Sequence, residues 1–280
     1  MIIYDLIIIG AGPAGITAAV YAARKRLNML VVTGDIGGQA AWSGDIENYT
    51  GYQFISGPEL AAKFEEHLRQ YAITVKEGET AVSLEKDGLV VRVTTDKGSY
   101  EGKTAIIASG KRTRQLDVPG EKDFKNKGLT YCATCDGPLF SDKVVAVIGG
   151  GNSALDATLQ LTKIAKHVYI INIGSDLTGD AIMIGKVRND GHVTILNNTR
   201  VIAITGEKMV NAIKISGQGK EEELKVQGVF VEIGLIPNSD FAKGIDKNQK
   251  GEIKVDCHNA TNIPAIFAAG DVTDVPEKQI

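Results

Sequence analysis

Two cysteines three positions apart, Cys132-Ala-Thr-Cys135, with Asp136 directly behind them, are the residues of this chain best suited to chemistry. The spacing lets a disulfide close and open within one turn of backbone, and thiols in such pairs commonly have lowered pKa values. The alternative is half of a zinc site, but tetrahedral zinc needs four ligands. Cys257, His67, His167, His192 and His258 are the remaining candidates, and none is spaced as a second pair. The redox reading is therefore the stronger and zinc the minor one. A carboxylate does not lower a neighbouring thiol's pKa, so Asp136 reads as a proton carrier for the thiolate released on reduction. A turn or capping role before Gly137 is compatible with that. Cys257 reads as a packed or surface thiol.

A second chemistry is carried by glycine. The run Leu6-Ile-Ile-Ile-Gly10-Ala-Gly12-Pro-Ala-Gly15 returns as Val145-Ala-Val-Ile-Gly149-Gly-Gly151-Asn-Ser-Ala154. The three small positions serve a tight turn, close approach of backbone to a pyrophosphate, and close packing of helix on strand, with the helix N-terminus facing the anion. One such turn is a weak signal, whereas two, each between an apolar strand and an amphipathic helix, point to two dinucleotides. About twenty residues beyond such a turn, an acidic side chain ordinarily takes the ribose of NAD, or an arginine the 2′-phosphate of NADP. The second copy has Asn172-Ile-Gly174-Ser-Asp176 there. Asn172 is expected to meet a ribose hydroxyl as a neutral group, with Asp176 within a loop's reach. The competing reading is a nucleotide site decayed into scaffold.

The elements that must position these residues follow from periodicity. Each glycine turn leads into a helix with apolar positions every three or four residues, Ile16, Ala19, Val20, Ala23 and Ala154, Ala157, Leu161, Ile164, and then a second strand, Met29 to Thr33 and Val168 to Ile171. Alternating segments interrupted at Lys86-Asp-Gly88, Asp96-Lys-Gly98 and Gly206-Glu-Lys208 predict hairpins or meanders, closed by apolar strands at Thr104 to Ala108 and Val229 to Ile233. The fold class expected is α/β, with two Rossmann-like dinucleotide-binding domains, the second inserted into the first, each with a small antiparallel β layer. The first domain spans 1–114 and 239–280 and the inserted one 115–238, with linkers at Arg112 to Gly120 and Gly234 to Asn238. The strand-and-glycine tail Ile266-Phe-Ala-Ala-Gly270-Asp271 is expected to return to the first sheet.

Across 280 residues the chain is 43% apolar and 23% charged, enough for packed cores. A net charge of −3 leaves no excess of cations for phosphates, which argues against nucleic acid as a partner. No run of eighteen uncharged apolar residues is present, and the start has neither a basic region nor a cleavage site, so no membrane span is expected and a cytoplasmic location is.

Together the motifs Gly10-Ala-Gly-Pro-Ala-Gly15, Gly37-Gly-Gln39, Ile46-Glu-Asn48, Cys132-Ala-Thr-Cys-Asp136, Gly149-Gly-Gly-Asn-Ser-Ala154 and Phe267-Ala-Ala-Gly-Asp271 are specific. Over nearly all its length the chain resembles bacterial-type low-molecular-weight thioredoxin reductase and the reductase part of the flavoprotein that serves alkyl hydroperoxide reductase. The resemblance implies an FAD-dependent disulfide reductase in which the first unit and the chain's end bind FAD, while the inserted unit binds NAD(P)H and carries the cysteines. It assigns Gly10, Gly12, Pro13, Ala14 and Gly15 to the FAD pyrophosphate turn, Gln39 and Asn48 to the neighbourhood of the flavin ring, and Asp271 to the ribityl chain. Gly38, Ala108, Gly110, Gly270, Lys278, Gln279 and Ile280 complete that site, and Gly149, Gly151, Asn152, Ser153 and Ala154 form the nicotinamide-dinucleotide turn. Cys135 becomes the flavin-side sulfur, Cys132 the one that attacks a partner's disulfide, and Asp136 the general acid.

The family's usual His-Arg-Arg run is replaced by Asn172-Ile-Gly174, so NADPH is not expected to be strongly preferred. Cys135-Asp-Gly-Pro138 and Phe230-Val-Glu-Ile-Gly-Leu-Ile-Pro-Asn238 resemble the hydroperoxide-reductase flavoprotein, whose donor is usually NADH. That flavoprotein has an added N-terminal redoxin region, and this chain begins at the FAD strand, so a separate thioredoxin-like partner is implied. Family members usually form homodimers and continue beyond Ile280 through another helix. Because the cysteines belong to one unit and the flavin to the other, the linkers are expected to act as hinges. Rival readings are the same relay fed by ferredoxin, a flavin-binding electron-transfer or sensor module with a regulatory cysteine pair, and a zinc-binding interaction protein.

Overall fold

The structure, a computed structural model, describes residues 2–42, 45–46, 49–217, 219–276 and 278, with the backbone alone for Trp42, Asp45 and Cys135. The chain forms two compact units, residues 1–112 with 236–280, and residues 113–235, and passes between them within the strands Lys111–Thr113 and Leu235–Pro237.

In the first unit the strand Ile3–Ala11 lies between Met29–Ile36 and Ser99–Ile107, parallel to both, and Thr74–Glu77 extends the sheet beyond Met29–Ile36. The apolar run in Ile3–Ala11 reads continuously because both its faces are buried. Ile7 and Ile9 enter one core, while Leu6 and Ile8 enter another with Ile16, Ala19 and Val20 of the helix Pro13–Arg24. The antiparallel layer is not a separate sheet here. Ser99–Ile107 pairs antiparallel with Val90–Thr95 along its first half, and parallel with Ile266–Ala268 along its second. Its opening residues alternate and its closing ones are uniformly apolar, which explains why the sequence reads as two strands where one exists. Ala81–Asp87 completes the meander.

The second unit repeats the plan with its layers separated. A five-stranded parallel sheet runs in the order Leu129–Thr130, Gly228–Val231, Val144–Ile148, His167–Ile171, Val193–Leu196. Thr199–Gly206, Val210–Gly217 and Lys220–Lys225 form an antiparallel sheet of their own. Val201, Ile204, Ile213 and Ile215 pack with Ala146 and Ile148 on one face, while Val145 and Val147 pack against Ala154, Ala157 and Leu161 of the helix Asn152–Leu161 on the other. Among the described residues no helix is long and apolar enough to cross a membrane.

Candidate functional site

In the first unit the strand-to-helix turn has no room for side chains where helix meets strand. A Cβ on Gly15 would sit 1.9 Å from the Gly10 carbonyl oxygen, and one on Gly10, whose φ is +104°, would sit 2.3 Å from the Ala108 oxygen. At Gly12 the situation reverses. A Cβ there meets nothing within 4 Å, and the helix Pro13–Arg24 starts at Gly12 without a side-chain cap. Its first N–H groups therefore face open space, the arrangement that accepts a phosphate. Distant segments close on the same place. A Cβ on Gly38 would lie 3.3 Å from the Gly12 Cα, and one on Gly270 would lie 2.9 Å from the Ala14 Cβ. The Gln39 amide donates to the Asp271 carboxylate at 3.3 Å. Pro13, Ala14, Gly38, Gln39, Ala108, Gly270 and Asp271 thus surround one open helix start.

Gly110 accepts the Asn238 N–H at 3.0 Å, which ties the returning segment to the end of Ser99–Ile107. Next to it, Lys111 donates to Glu252 at 2.6 Å, and Lys278 lies 3.7 Å from the same carboxylate while donating to the Thr273 carbonyl. Burial pushes the Glu252 carboxyl upward, but the bonds from Lys111 and Asn248 and the charges of Lys111 and Lys278 outweigh it and hold the group at about 2. Asn48, Gln279 and Ile280 lie outside the described residues.

The second turn has the same construction. A Cβ on Gly149 would come within 2.3 Å of the Glu232 carbonyl, Gly151 starts its helix uncapped, and Ala154 is fully buried. Asn152 and Ser153 are exposed on the first turn, with the Asn152 side-chain carbonyl accepting the Asp180 N–H at 2.6 Å. The expectation for Asn172 is corrected. It is only 5% exposed, and its amide donates to the Gly174 and Asp176 carbonyls and to Asn197 while accepting the Gly174 N–H. Its hydrogen-bonding capacity holds the loop in shape and is not offered to a ribose. Asp176 pairs with Arg188, and the bond from Arg188 lowers its carboxyl pKa.

Cys132 is disulfide-bonded, whereas Cys257 is free and exposed. The Thr130 hydroxyl donates to the Asp136 carboxylate and accepts the Cys132 N–H at 3.2 Å, so one threonine fixes the carboxyl beside the start of the pair. Tyr131 donates at 2.8 Å to Glu121, a buried carboxylate that also accepts the Leu116 and Asp117 N–H groups. Burial, reinforced by Glu121, raises the Tyr131 pKa. Among the described residues no cluster of His, Cys, Asp and Glu is arranged to hold a metal.

Residues 4–279 match the family described as Pyridine nucleotide-disulphide oxidoreductase. The chain belongs to this family. It is 42% identical over 280 residues to a Bacillus subtilis strain 168 protein named NADH dehydrogenase, covering 99% of this chain and 55% of that one. It is 42% identical over 281 residues to an alkyl hydroperoxide reductase component of Staphylococcus aureus strain MSSA476, again covering 99% and 55%. The chain therefore spans about half the length of these curated relatives. The solved thioredoxin reductase of Lactococcus lactis, in its FR conformation, superposes with a TM-score of 0.81 at 34% identity, covering 99% of this chain and 92% of that one.

Members of the pyridine nucleotide-disulphide oxidoreductase family are FAD-dependent and draw on NAD(P)H. The first turn fits a dinucleotide phosphate, because it combines a crowded strand–helix contact with open space beside Gly12; the second repeats the crowded contact and the uncapped helix start, with Thr178 and Gly179 close to it. Thr130 and Glu121 escaped the sequence reading, and no local pattern marks them.

Proposed function

We propose that the chain is the reductase portion of a thioredoxin reductase-like enzyme that passes electrons from NAD(P)H through FAD to the Cys132/Cys135 pair and on to a thioredoxin-like or peroxiredoxin-linked partner. One observation carries this reading: a disulfide-bonded Cys132 and the carboxyl of Asp136 are joined through one hydroxyl, that of Thr130, in the unit that also holds the second dinucleotide turn. Residues 1–112 with 236–280 hold FAD through Gly10, Gly12, Gly15 and Asp271, and residues 113–235 hold the nicotinamide nucleotide through Gly149, Gly151 and Ala154. Bound FAD supplies the hydride acceptor and the source of the electron pair. That pair breaks the bond between Cys132 and Cys135, and Asp136 delivers the proton that one sulfur needs. The Cys132 thiolate attacks the partner's disulfide, and Cys135 then resolves the mixed disulfide, which releases the partner's dithiol and restores the pair. The name of the Bacillus subtilis relative, NADH dehydrogenase, supports NADH as donor. A second reading, ferredoxin as donor, is favoured by the self-contained Asn172 loop and the Arg188 guanidinium committed to Asp176. The working form is a cytoplasmic homodimer. Parallel anaerobic titrations of FAD-loaded protein with NADH, NADPH and reduced ferredoxin test the assignment, and bleaching by none of them would overturn it.

A further inference from the structure

The two glycine turns are completed by matching segments, and the match brings one further hydroxyl to the second. In the first unit the chain leaves the strand Met29–Ile36 and returns to the turn at once, the Gly37 N–H donating to the Ala11 carbonyl at 2.8 Å. In the second unit the loop after His167–Ile171 does the same, the Thr178 N–H donating to the Gly150 carbonyl at 2.8 Å. Ala11 and Gly150 are the second residues of their turns. The residue that follows is glycine in both segments, because it packs on the helix start. A Cβ on Gly38 would lie 3.3 Å from the Gly12 Cα, and one on Gly179 would lie 3.2 Å from the Asn152 N and 2.6 Å from the Asn152 side-chain oxygen.

Thr178 therefore stands where the first unit has Gly37, and there the two differ. Gly37 has a φ of +95°, and a Cβ on it would meet the Ala61 Cβ at 2.6 Å, so that position carries no side chain. The Thr178 side chain is exposed and reaches the turn. Its Oγ1 lies 4.0 Å from the place a Gly151 Cβ would take, the nearest heavy atom to it outside the turn and its helix among the described residues. The hydroxyl's bond to the Gly150 carbonyl is long, 3.4 Å, and that carbonyl already accepts the Thr178 N–H, so the hydroxyl can turn to a better acceptor. Both flanks of the residue are fixed. Leu177 is buried with Leu155, Ile170 and Val187, and the Asp180 N–H donates to the Asn152 side-chain carbonyl at 2.6 Å.

We infer that Thr178 is a binding residue for the second dinucleotide, its hydroxyl donating to a pyrophosphate oxygen seated at the helix start beside Gly151. This rests on the reading of residues 113–235 as the unit that holds the nicotinamide nucleotide. A neutral donor matters in this loop because the guanidinium of Arg188 is engaged by Asp176. A hydroxyl–phosphate hydrogen bond is charge-assisted, and a donor whose backbone is already fixed loses little freedom on binding. The first turn has no counterpart, since Gly37 takes that place, so the hydroxyl serves the nicotinamide nucleotide and not FAD.

The test is calorimetric titration of oxidised, FAD-loaded protein with NAD⁺ and with ADP-ribose, which keeps the pyrophosphate and lacks the nicotinamide. Thr178→Val keeps the side chain's shape and removes the donor, whereas Thr178→Ser keeps the donor. The valine variant should bind both ligands about ten- to a hundredfold more weakly, and the serine variant close to wild type, with flavin content unchanged in each. Equal binding by wild type and Thr178→Val, or equal losses in the valine and serine variants, would overturn the role of Thr178 alone. A loss for NAD⁺ with ADP-ribose unaffected would overturn the assignment to the pyrophosphate. Wild-type protein that binds neither ligand would overturn the reading of the second unit beneath it.

Discussion

Substituting Gly12 and Gly15 by alanine should separate the fold of the first turn from its ligand. A Cβ on Gly15 would stand 1.9 Å from the Gly10 oxygen, about 1.5 Å short of ordinary contact, and its neighbour is backbone that cannot rotate away. The helix Pro13–Arg24 must retreat from Ile3–Ala11, at an overpacking cost of about 1–3 kcal/mol. At about 2–4 °C per kcal/mol for a unit of this size, Gly15→Ala should melt roughly 2–12 °C lower than wild type even without FAD. Gly12 has an ordinary extended backbone, φ −76° and ψ −177°, and open space beyond it. Gly12→Ala should therefore change apoprotein stability by less than about 1 kcal/mol, the scale of an N-cap exchange. The added methyl occupies the approach to the helix N–H groups. Losing one hydrogen bond to a charged phosphate there, worth about 1.5–3 kcal/mol, weakens FAD binding about ten- to a hundredfold. Thermal melts of the apoproteins and titration of flavin fluorescence provide the two readouts. If Gly12→Ala bound FAD like wild type, the assignment of this turn to FAD would fail, and if Gly15→Ala melted like wild type, the crowding of Gly15 against the Gly10 carbonyl would not be what sets the helix on its strand.

Four further outcomes are expected. Cys132→Ser should abolish redoxin reduction with FAD binding intact, and Cys257→Ser should leave turnover near wild type, both measured by a coupled redoxin assay. Asp136→Asn should slow redoxin turnover by roughly a hundredfold, the lower range for loss of a general acid, with flavin reduction unchanged in stopped flow. The kcat/KM preference for NADPH over NADH should stay below about a hundredfold, and Asp176→Asn, which frees the Arg188 guanidinium and removes a repelling carboxylate, should shift it toward NADPH by about tenfold or more. Glu252 has a depressed pKa of about 2. It therefore adds stability that is complete above the unfolded carboxyl's value of about 4.3 and is lost as pH falls through about 2, by roughly 3 kcal/mol. Acid melts should show Glu252→Gln less stable than wild type at pH 7 and flatter in its dependence between about pH 5 and 2.

The fold was legible because its signals are local. A continuous apolar run, a glycine turn and a helix-period stretch specify a strand buried on both faces and the helix that covers it, and the pattern occurs twice. The motif residues could be named from sequence, but their meeting could not. Gln39 reaches Asp271 only because Ile266–Ala268 returns to the edge of Ser99–Ile107. Asn172 shows the limit most clearly. Its type and position suit a ribose, yet Gly174, Asp176 and Asn197 satisfy it from loops whose approach no periodicity encodes. Thr130 was missed for the same reason, since it matters through the Asp136 carboxylate and the Cys132 N–H that its hydroxyl joins. The Arg188–Asp176 pair likewise joins a helix to a loop that the sequence leaves unconnected.

The most direct test of the relay is an anaerobic reductive titration of the FAD-loaded protein, following flavin absorbance and free thiols together. The relay requires uptake of one electron pair by the flavin and a second by the disulfide, with both new thiols on Cys132 and Cys135, and uptake of the flavin's pair alone in Cys132→Ser. Wild-type protein that takes up only the flavin's pair and gains no thiols would contradict it.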